Sequence, residues 1–334
     1  MEPLDFLAIG DIVTEPFIRL TDAEVYEKDG QQMLGMRFGD KIPYAESIHM
    51  PAVGNASNAA VAAARLGLSS ALRAYIGDDA QGQECLDRLK EEGVQTEYMV
   101  TEHGKITNHH YVLWYGNERT ILVKHEDYAY DVPTLGHQPK WIYLSSLAKS
   151  SLPYHHAITE MLQMYPGIKL AFQPGTFQMS LGVEALKPLY ERTDFFCVNV
   201  EEAARILGVP AQEERTTEYL KSLLQGLAAL GPKLICVTDG TEGAYAYDGS
   251  RYLRIPMYPD DRKPFERTGA GDAFASSITA ALALGEPLET ALLWGPINSM
   301  SVVQDVGAQR GLLTREALLS HLEKAPATYT VTEF

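Results

Sequence analysis

The feature that most constrains the fold of this 334-residue chain is a series of short apolar segments separated by helical patterns. A short apolar run between turn signals is typical of a strand that is buried on both faces. Strands that alternate with helices form a mainly parallel sheet with helices on both sides. We therefore predict a three-layer α/β/α sandwich, with central strands at residues 4–9, 71–76, 141–144, 169–172, 195–198 and 234–238.

Two segments follow a different pattern and predict a small sheet outside this body. Residues 14–50 are polar and mixed, and a later stretch alternates around Gly116-Asn117, which is a hairpin signal. We expect a β lid inserted at about 14–50 and 104–125 into a single domain that spans residues 1–334. The lid strands are predicted at residues 33–38, 45–49, 106–115 and 119–123.

The charge of the chain disfavours two classes of partner. Lys and Arg number 28 and Asp and Glu number 44, which gives a formal net charge of -16. Binding to nucleic acid without sequence preference depends on basic groups that neutralise phosphates, so we expect no nucleic-acid partner. A polybasic membrane attachment is disfavoured for the same reason. A small anionic ligand remains compatible, because a few backbone amides and one cation can hold a phosphate.

The cysteines and the N-terminus bear on the compartment. Cys85, Cys197 and Cys236 each lie in an apolar stretch and form no CxxC pair, which predicts buried free thiols. Free thiols favour a reducing, cytoplasmic location. We see no secretory signal at the N-terminus and no apolar run as long as a membrane span, so we expect no membrane partner.

The strongest chemical signal is the run Thr268-Gly269-Ala270-Gly271-Asp272, which is followed by a small, apolar segment. That segment predicts a helix whose first turn carries free N–H groups, and such groups favour a phosphoryl oxygen. An Asp beside this anion site can accept a proton from an attacking hydroxyl. The alternative is a plain glycine-rich turn in which Asp272 caps the helix.

Together with other motifs, this run resembles the PfkB family, the ribokinase-like carbohydrate and nucleoside kinases, from Gly10 to about Glu316. Six motifs stand in the order of that family, which makes coincidence an unsatisfactory explanation. They are residues 53–58, 76–79 with Gly82, 199–202, 238–240 with Gly243, 268–272, and the stretch that contains Asn298 and Gly307.

The resemblance implies the roles of the glycine-rich run. Asp272 would deprotonate the acceptor hydroxyl, and the amides of Gly269, Ala270 and Gly271 would hold charge that develops on the γ-phosphoryl group of ATP. The fold implied is ribokinase-like, with ATP and Mg²⁺ as the cofactors. The implied acceptor is a small sugar or nucleoside.

The resemblance also implies which residues bind the nucleotide and its metal. Asn199 and Glu202 lie three residues apart and would organise Mg²⁺ through water. For Glu202 the alternative is a solvated helix face. For Asn298 the alternatives are a contact with adenine and a helix cap. The nucleotide-binding residues implied are Asn199, Thr238, Gly240, Gly243, Thr268 and Asn298.

The acceptor and cation sites depart from the usual pattern of the family. Glu15 stands where a shorter Asp is more common, with Asp11 as the nearby alternative, and Gly54 and Asn58 complete the predicted acceptor site. Glu266-Arg267 replaces a more usual Asp-Thr pair, which puts a K⁺ site at Glu266 in doubt. Arg267 either reaches the nucleotide phosphates or is a surface residue.

The lid carries polar residues for which we expect an ordinary surface position, with a contact to the substrate or to a neighbouring subunit as the alternative: His109, His110, Arg119, Lys124 and His125. In the family the lid often mediates a homodimer, and a monomer is equally compatible with the sequence.

From the resemblance as a whole we predict an ATP-dependent sugar kinase. A nucleoside kinase on the same fold and a catalytically silent ligand-binding regulator are the alternatives, whereas a nicotinamide oxidoreductase is disfavoured because no GxGxxG follows the first strand.

Overall fold

A computed structural model describes residues 4–116 and 118–334 of the chain. Asn117, in the predicted hairpin turn, lies outside the described residues. The strands are β1 Phe6–Ile9, β2 Val13–Leu20, β3 Glu24–Lys28, β4 Gln31–Gly35, β5 Tyr44–Val53, β6 Ser70–Arg73, β7 Tyr75–Gly77, β8 Val100–Glu102, β9 Tyr111–Tyr115, β10 Glu118–Leu122, β11 Trp141–Leu144, β12 Lys169–Phe172, β13 Phe195–Asn199, β14 Leu234–Thr238, β15 Ala244–Tyr247, β16 Tyr252–Ile255 and β17 Thr332–Glu333.

The helices alternate with these strands along most of the chain. They are α1 Asn55–Arg65, α2 Ala80–Glu91, α3 Leu152–Met164, α4 Thr176–Leu181, α5 Val183–Arg192, α6 Val200–Leu207, α7 Thr217–Ala228, α8 Ala270–Leu284, α9 Leu288–Val302 and α10 Arg315–Lys324.

The central sheet has nine strands in the order β17-β16-β15-β14-β13-β12-β11-β1-β6. The strands from β14 to β6 are parallel to their neighbours, and β15, β16 and β17 add an antiparallel edge. The prediction of a mainly parallel sheet is confirmed. β15 and β16 follow β14 through short connections, which the search for strands separated by helices does not detect, and β17 joins this edge from the far end of the chain after α10.

Side chains alternate between the two faces of the central strands, as the pleat requires. In β1, Phe6 and Ala8 join one buried cluster, and Leu7 and Ile9 join the other. The first cluster includes residues of α1, α2, α8, α9 and α10, and the second includes residues of α3, α5, α6 and α7. The predicted three-layer sandwich is therefore present, with an apolar core on each side of the sheet.

Four strands form a separate sheet in the order β10-β9-β2-β5, which we call the lid sheet. It packs on the body through a small apolar cluster in which Phe17 and Trp114 of the lid meet Val306 of the body. A further hairpin, β3 with β4, pairs with no other strand of the described residues. The strand predicted at 33–38 is Gln31–Gly35 and lies in this separate hairpin, not in the lid sheet, and the strand predicted from residue 106 begins at Tyr111. The lid strand Val13–Leu20 was missed by the sequence prediction.

No helix of the described residues is both long and apolar enough to span a membrane. The three cysteines are buried and free, as predicted. Cys197 and Cys236 lie opposite each other on the neighbouring strands β13 and β14.

Candidate active site

The polar residues of the site follow the carboxyl ends of neighbouring parallel strands. Asp11 follows β1, Gln173 follows β12, Asn199 ends β13 and Thr238 ends β14. In open α/β sheets ligands bind at this edge. The fold therefore collects residues that are far apart in sequence along one side of the molecule.

The start of α8 provides an anion site at this edge. Gly269 immediately precedes the helix with φ +80°, a left-handed conformation that favours glycine. A Cβ on Gly269 would lie 2.5 Å from the Cα of Ala308, so the two backbones are in close contact here. Among the described residues no side chain caps this helix start, and the N–H groups of Gly271 and Asp272 are available for an anionic oxygen, whereas the Ala270 N–H makes a long hydrogen bond of 3.4 Å to the Arg267 carbonyl oxygen.

Asp272 lies in the first turn of α8 and is buried, with 8% of its surface exposed. Its Oδ1 accepts hydrogen bonds from the side-chain amides of Asn55 at 2.9 Å and Gln173 at 3.3 Å. Its Oδ2 accepts one from Asn58 at 2.8 Å. Three neutral amides thus orient the carboxylate without supplying a positive charge that would remove its basicity.

Burial raises the pKa of Asp272 to about 6, although the hydrogen bonds from Asn58, Gln173 and Asn55 oppose this shift. A carboxylate with this pKa is a stronger base than an exposed Asp and is still ionised near neutral pH.

We expect turnover to fall as the pH decreases through about 6, because protonated Asp272 cannot accept a proton. Because its pKa is raised on folding, protonating Asp272 favours the folded state, so this group does not cause acid unfolding in that window. The pH–rate profile, with circular dichroism at each pH as the control, measures this. A flat profile through pH 6 for a folded protein would contradict the role of Asp272.

Asp272 borders a cavity of about 290 Å³, which we call the central cavity. Its lining includes Asn58, Asn199, Glu202, Thr238, Thr268, Gly269, Ala270 and Gly271 from the predicted site, together with Asn55, Arg119, Gln173 and Arg267. A Cβ on Gly271 would make only an ordinary contact, 3.7 Å from Gln173 Nε2, and Gly271 lines the central cavity together with Asp272. The anion site and the carboxylate therefore face the same space.

A second cavity, of about 360 Å³, lies under the lid sheet, and we call it the lid cavity. Two buried carboxylates line it, each beside a lid histidine. His110 Nδ1 lies 3.1 Å from Glu15 Oε1, and His125 Nδ1 lies 3.1 Å from Asp11 Oδ2. The predicted surface position is wrong for both histidines, because the lid folds over the carboxyl edge of the sheet. Gly54, also predicted at the acceptor site, lines the same cavity.

A third cavity, of about 580 Å³, opens on the other side of the central cavity, and we call it the outer cavity. Gly240 lines it, as predicted for a nucleotide site, beside Arg215, Asp239, Met257 and Met300. Gly243 lies in a small adjoining pocket with Thr238. A Cβ at Gly243 would collide with the backbone of Ile255 in β16. The fold itself therefore requires a glycine here, whether or not a nucleotide lies against it.

Asn199 and Glu202 form a reciprocal helix cap. Asn199 accepts the Glu202 N–H at 2.8 Å, and Glu202 Oε2 accepts the Asn199 N–H at 2.9 Å. Burial raises the pKa of Glu202 above its usual range. A half-buried carboxylate in the cavity wall fits Mg²⁺, which is commonly bound through one or two carboxylates and keeps several waters. Within residues 4–116 and 118–334, no group of three or more His, Cys, Asp and Glu is arranged to hold a metal.

Glu266 does not line the central cavity but lies directly behind it, with 4% exposure. Its Oε1 accepts the Thr268 N–H at 2.7 Å and the Thr268 hydroxyl, and its Oε2 accepts the Gly307 N–H at 3.3 Å. Arg119 Nη1 donates to Oε1 at 3.3 Å. The predicted surface position of Arg119 is therefore wrong. Arg267 is exposed and lines both the central and the outer cavities, a position that agrees with either of its two predicted roles, a contact with the nucleotide phosphates or a surface residue.

The structure places Asn298 inside α9 and fully buried, so the helix-cap alternative is wrong. Its side-chain amide donates to the Ser277 hydroxyl at 2.7 Å, and its carbonyl oxygen accepts the Leu313 N–H at 2.9 Å. Both the amide and the carbonyl oxygen of the Asn298 side chain therefore have partners within the protein. Direct contact with adenine stays a prediction, and it would require one of these hydrogen bonds to break.

Sequence reasoning did not identify two of the three amides that orient Asp272. Asn55 lies three residues before the predicted Asn58 in the same motif, and Gln173 directly follows the apolar run 169–172 that predicts a buried strand. Gln173 is a polar residue directly after a buried strand, and Asn55 is a polar residue at the start of a helix. These positions are the only signal in the sequence that could have identified the two amides. His109 and Lys124 border a separate pocket on the lid.

Comparison with known proteins agrees with this geometry. The model of the pfkB family carbohydrate kinases matches residues 22–315. A ribokinase of Bacillus subtilis (strain 168) is 29% identical over 275 residues, which covers 80% of this chain and 87% of the relative.

Two solved structures share the fold. Arabidopsis thaliana ribokinase complexed with ribose and ATP superposes with a TM-score of 0.75 at 18% identity, covering 96% of this chain and 99% of the other. The Methanocaldococcus jannaschii nucleoside kinase, an archaeal member of the ribokinase family, superposes with a TM-score of 0.72 at 18% identity, covering 97% and 100%. The match of the family model over most of the chain, with the motifs gathered at one edge of the sheet, shows that the protein belongs to the pfkB family of carbohydrate kinases.

Proposed function

We propose that this protein transfers the γ-phosphoryl group of ATP to a hydroxyl of a small, neutral, polyhydroxylated acceptor, most simply a sugar. Asp272 takes the proton of that hydroxyl, and the first-turn amides of α8 stabilise charge on the transferred group. Glu202 would hold Mg²⁺ through water, and the bound ion would neutralise phosphate charge. Gly240, Gly243 and Arg267 contact the nucleotide.

The observation that carries this proposal is the continuity of the three cavities. Glu15 and Gly54 line both the lid cavity and the central cavity, and Arg267 and Ala270 line both the central and the outer cavities. An acceptor in the lid cavity and a nucleotide in the outer cavity therefore meet at the central cavity. Asp272 and the anion site border that meeting point, as in-line phosphoryl transfer requires.

The chemistry of the lid cavity favours a neutral acceptor. Asp11 and Glu15 are hydrogen-bond acceptors suited to hydroxyl groups, and the Tyr130 hydroxyl donates to Asp11 Oδ1 at 2.7 Å. Among the described residues that line the lid cavity, none is Lys or Arg. A phosphorylated or acidic sugar would place its anion beside two carboxylates, which is unfavourable.

A substrate panel read by ADP release tests the proposal, with neutral sugars, nucleosides, phosphosugars and sugar acids as acceptors. We expect a neutral sugar to give the highest kcat/KM. Turnover of nucleosides alone would support the nucleoside kinase that the second solved structure suggests. Tight binding of an acceptor without ADP release from any of the panel would support a catalytically silent regulator.

We predict that Glu15→Gln raises the KM for the acceptor by about tenfold or more, because hydrogen bonds to a buried charge are among the stronger ones. The change leaves the nucleotide side untouched, so the KM for ATP is expected to stay constant. Glu46→Gln is the matched control, since Glu46 is an exposed lid glutamate that pairs with Arg19 at 3.3 Å. Equal acceptor KM values for the two variants would place the acceptor elsewhere.

The oxygen atoms of Glu266 already accept hydrogen bonds from Thr268, Gly307 and Arg119. We therefore propose that turnover does not depend on K⁺, and the substrate panel with and without K⁺ measures this. Stimulation by K⁺ would instead support the predicted cation site at Glu266.

We also propose a homodimer through the outer face of the lid sheet, supported by the exposed side chains of Tyr44, Tyr111 and Leu122. Light scattering of the purified chain tests it, and a monomer at high concentration would contradict it.

We also propose that residues 1–334 form a single domain with an inserted lid. The buried free thiols support a reducing, cytoplasmic location, which we propose as well.

A further inference from the structure

Asp11 presents one carboxylate oxygen without a partner to the lid cavity. The residue follows β1, and its backbone N–H donates to the Ser146 carbonyl oxygen at 2.8 Å, which fixes it at the end of the strand. Its side chain is 3% exposed. Oδ2 is buried and accepts no hydrogen bond from the part of the chain that the structure describes. A buried carboxylate oxygen without a donor is costly, so a ligand that donates to it is favoured here.

His125 supplies a donor at the same place. Its Nδ1 lies 3.1 Å from Asp11 Oδ2, but the two atoms are not aligned for a hydrogen bond, and Nδ1 is also buried without a partner among the described residues. Beside a carboxylate oxygen, Nδ1 is the ring nitrogen that carries hydrogen. The ring is held edge-on against Phe177 of α4, with centroids 5.5 Å apart. The lid cavity therefore offers one donor and one acceptor side by side.

This pair of atoms matches a hydroxyl group. A hydroxyl can accept from an N–H and donate to a carboxylate at the same time, whereas an ether or carbonyl oxygen cannot donate. Asp11 and His125 line the lid cavity and not the central cavity that Asp272 borders. The hydroxyl that suits them is therefore a different one from the hydroxyl that loses its proton to Asp272.

Tyr130 fixes the orientation of the Asp11 carboxylate from behind the cavity wall. Its hydroxyl donates to Oδ1 at 2.7 Å, which leaves Oδ2 for the cavity. The Tyr130 ring stacks on Tyr154 with centroids 5.3 Å apart and meets Tyr75 edge-on at 5.0 Å, so the hydroxyl is held in place. Burial, and then the Asp11 carboxylate, raise the pKa of Tyr130 above its usual range, which keeps this hydroxyl a donor.

We propose that Asp11 Oδ2 and His125 Nδ1 together bind one hydroxyl of the acceptor, and that Tyr130 is the positioning residue that directs Asp11 into the lid cavity. The inference rests on the proposed function and narrows its substrate class. The acceptor carries at least two hydroxyls, one that faces Asp272 and a second that Asp11 and His125 require. A monohydric alcohol is a poor acceptor, and so is a sugar in which the second hydroxyl is absent or methylated.

Steady-state kinetics of Tyr130→Phe test the positioning role, with Tyr128→Phe as the matched control. Tyr128 belongs to the same aromatic cluster and meets Tyr130 edge-on at 6.5 Å, but its hydroxyl donates to the Ile106 carbonyl oxygen at 2.8 Å. Each variant loses one hydroxyl and keeps its ring. We expect Tyr130→Phe to raise the KM for the acceptor by about fivefold or more, with kcat and the KM for ATP unchanged. Equal acceptor KM values for the two variants would overturn the positioning role.

Kinetics of His125→Leu with the best neutral pentose or hexose and its monodeoxy derivatives test the hydroxyl contact. His49→Leu is the control, since His49 is a lid histidine that lies 2.9 Å from Glu84, and both are about half exposed. We expect His125→Leu to lower kcat/KM by about tenfold or more, and one monodeoxy derivative to lower it similarly with wild type. For that derivative, His125→Leu is expected to cause little further loss, because the two changes remove the same contact.

The inference would be overturned if His125→Leu caused the same loss with every monodeoxy derivative as with the parent sugar. A kcat/KM for His125→Leu within about twofold of wild type would also overturn it. Failure of wild-type protein to release ADP with any acceptor would instead overturn the proposed function. In that case calorimetric titration of wild type, Tyr130→Phe and His125→Leu with the neutral sugars still tests the hydroxyl contact, and equal affinities would contradict it.

Discussion

Replacing Asp272 by Asn is expected to cut turnover by at least about 10²-fold while nucleotide binding stays nearly intact. The amide has the shape of the carboxylate but cannot accept a proton at neutral pH. Asp272 contacts Asn55, Asn58 and Gln173 and borders the central cavity, whereas the outer cavity proposed for the nucleotide lies beyond it. The effect is therefore expected in kcat and not in the affinity for ATP.

Kinetics and calorimetric titration with ATP, together with thermal unfolding, measure this result. Asp87→Asn is a suitable control, since Asp87 is an exposed residue of α2 that accepts a hydrogen bond from Gln83. Near-normal turnover of a folded Asp272→Asn protein would remove Asp272 from the role of base. A loss confined to ATP affinity would show that the carboxylate acts on the nucleotide instead.

The second large effect is expected for Gly269→Ala. The residue has φ +80°, and a Cβ would collide with the Cβ of Ala308 as well as its Cα. To relieve the collision the backbone at the start of α8 has to move, and small displacements of groups that stabilise the transition state are costly. We expect turnover to fall by about 10²-fold or more, as when a donor of an anion site is removed.

Gly285→Ala is the matched control because Gly285 lies at the other end of the same helix with φ +84° and has nothing within 4 Å of its Cβ position. The backbone strain is similar, about 1 kcal/mol of stability in each case, but no collision occurs. Both variants are expected to lose stability, and only Gly269→Ala is expected to lose most of its activity. Equal activity of the two would show that the close approach to Ala308 does not position the anion site.

The sequence predicted the layers of the fold because buried parallel strands are short apolar runs that local pattern reveals. Glycine-rich turns were also visible, since a turn with positive φ limits the residues that fit it, as at Gly269. These local signals located the residues of the central cavity, although their roles remain predictions.

Contacts between distant segments could not be predicted in the same way. Asn55 and Asp272 are 217 residues apart, and only the path of the chain through the sheet brings them to 2.9 Å. The lid residues were misplaced for the same reason: His110, Arg119 and His125 look like surface residues until the lid folds over the site. Asn298 shows the opposite error. Its place in a motif suggested a contact with the ligand, but its side chain is buried and forms hydrogen bonds within the core.

The central claim is that the protein phosphorylates a small hydroxylated acceptor, and product analysis tests it most directly. Wild-type protein and Asp272→Asn are incubated with ATP, Mg²⁺ and the best acceptor of the panel, and the products are identified by mass spectrometry. We predict ADP and an acceptor that has gained one phosphoryl group in equal amounts with wild type, and little of either with Asp272→Asn. ADP without a phosphorylated acceptor, or equal product from both proteins, would contradict the claim.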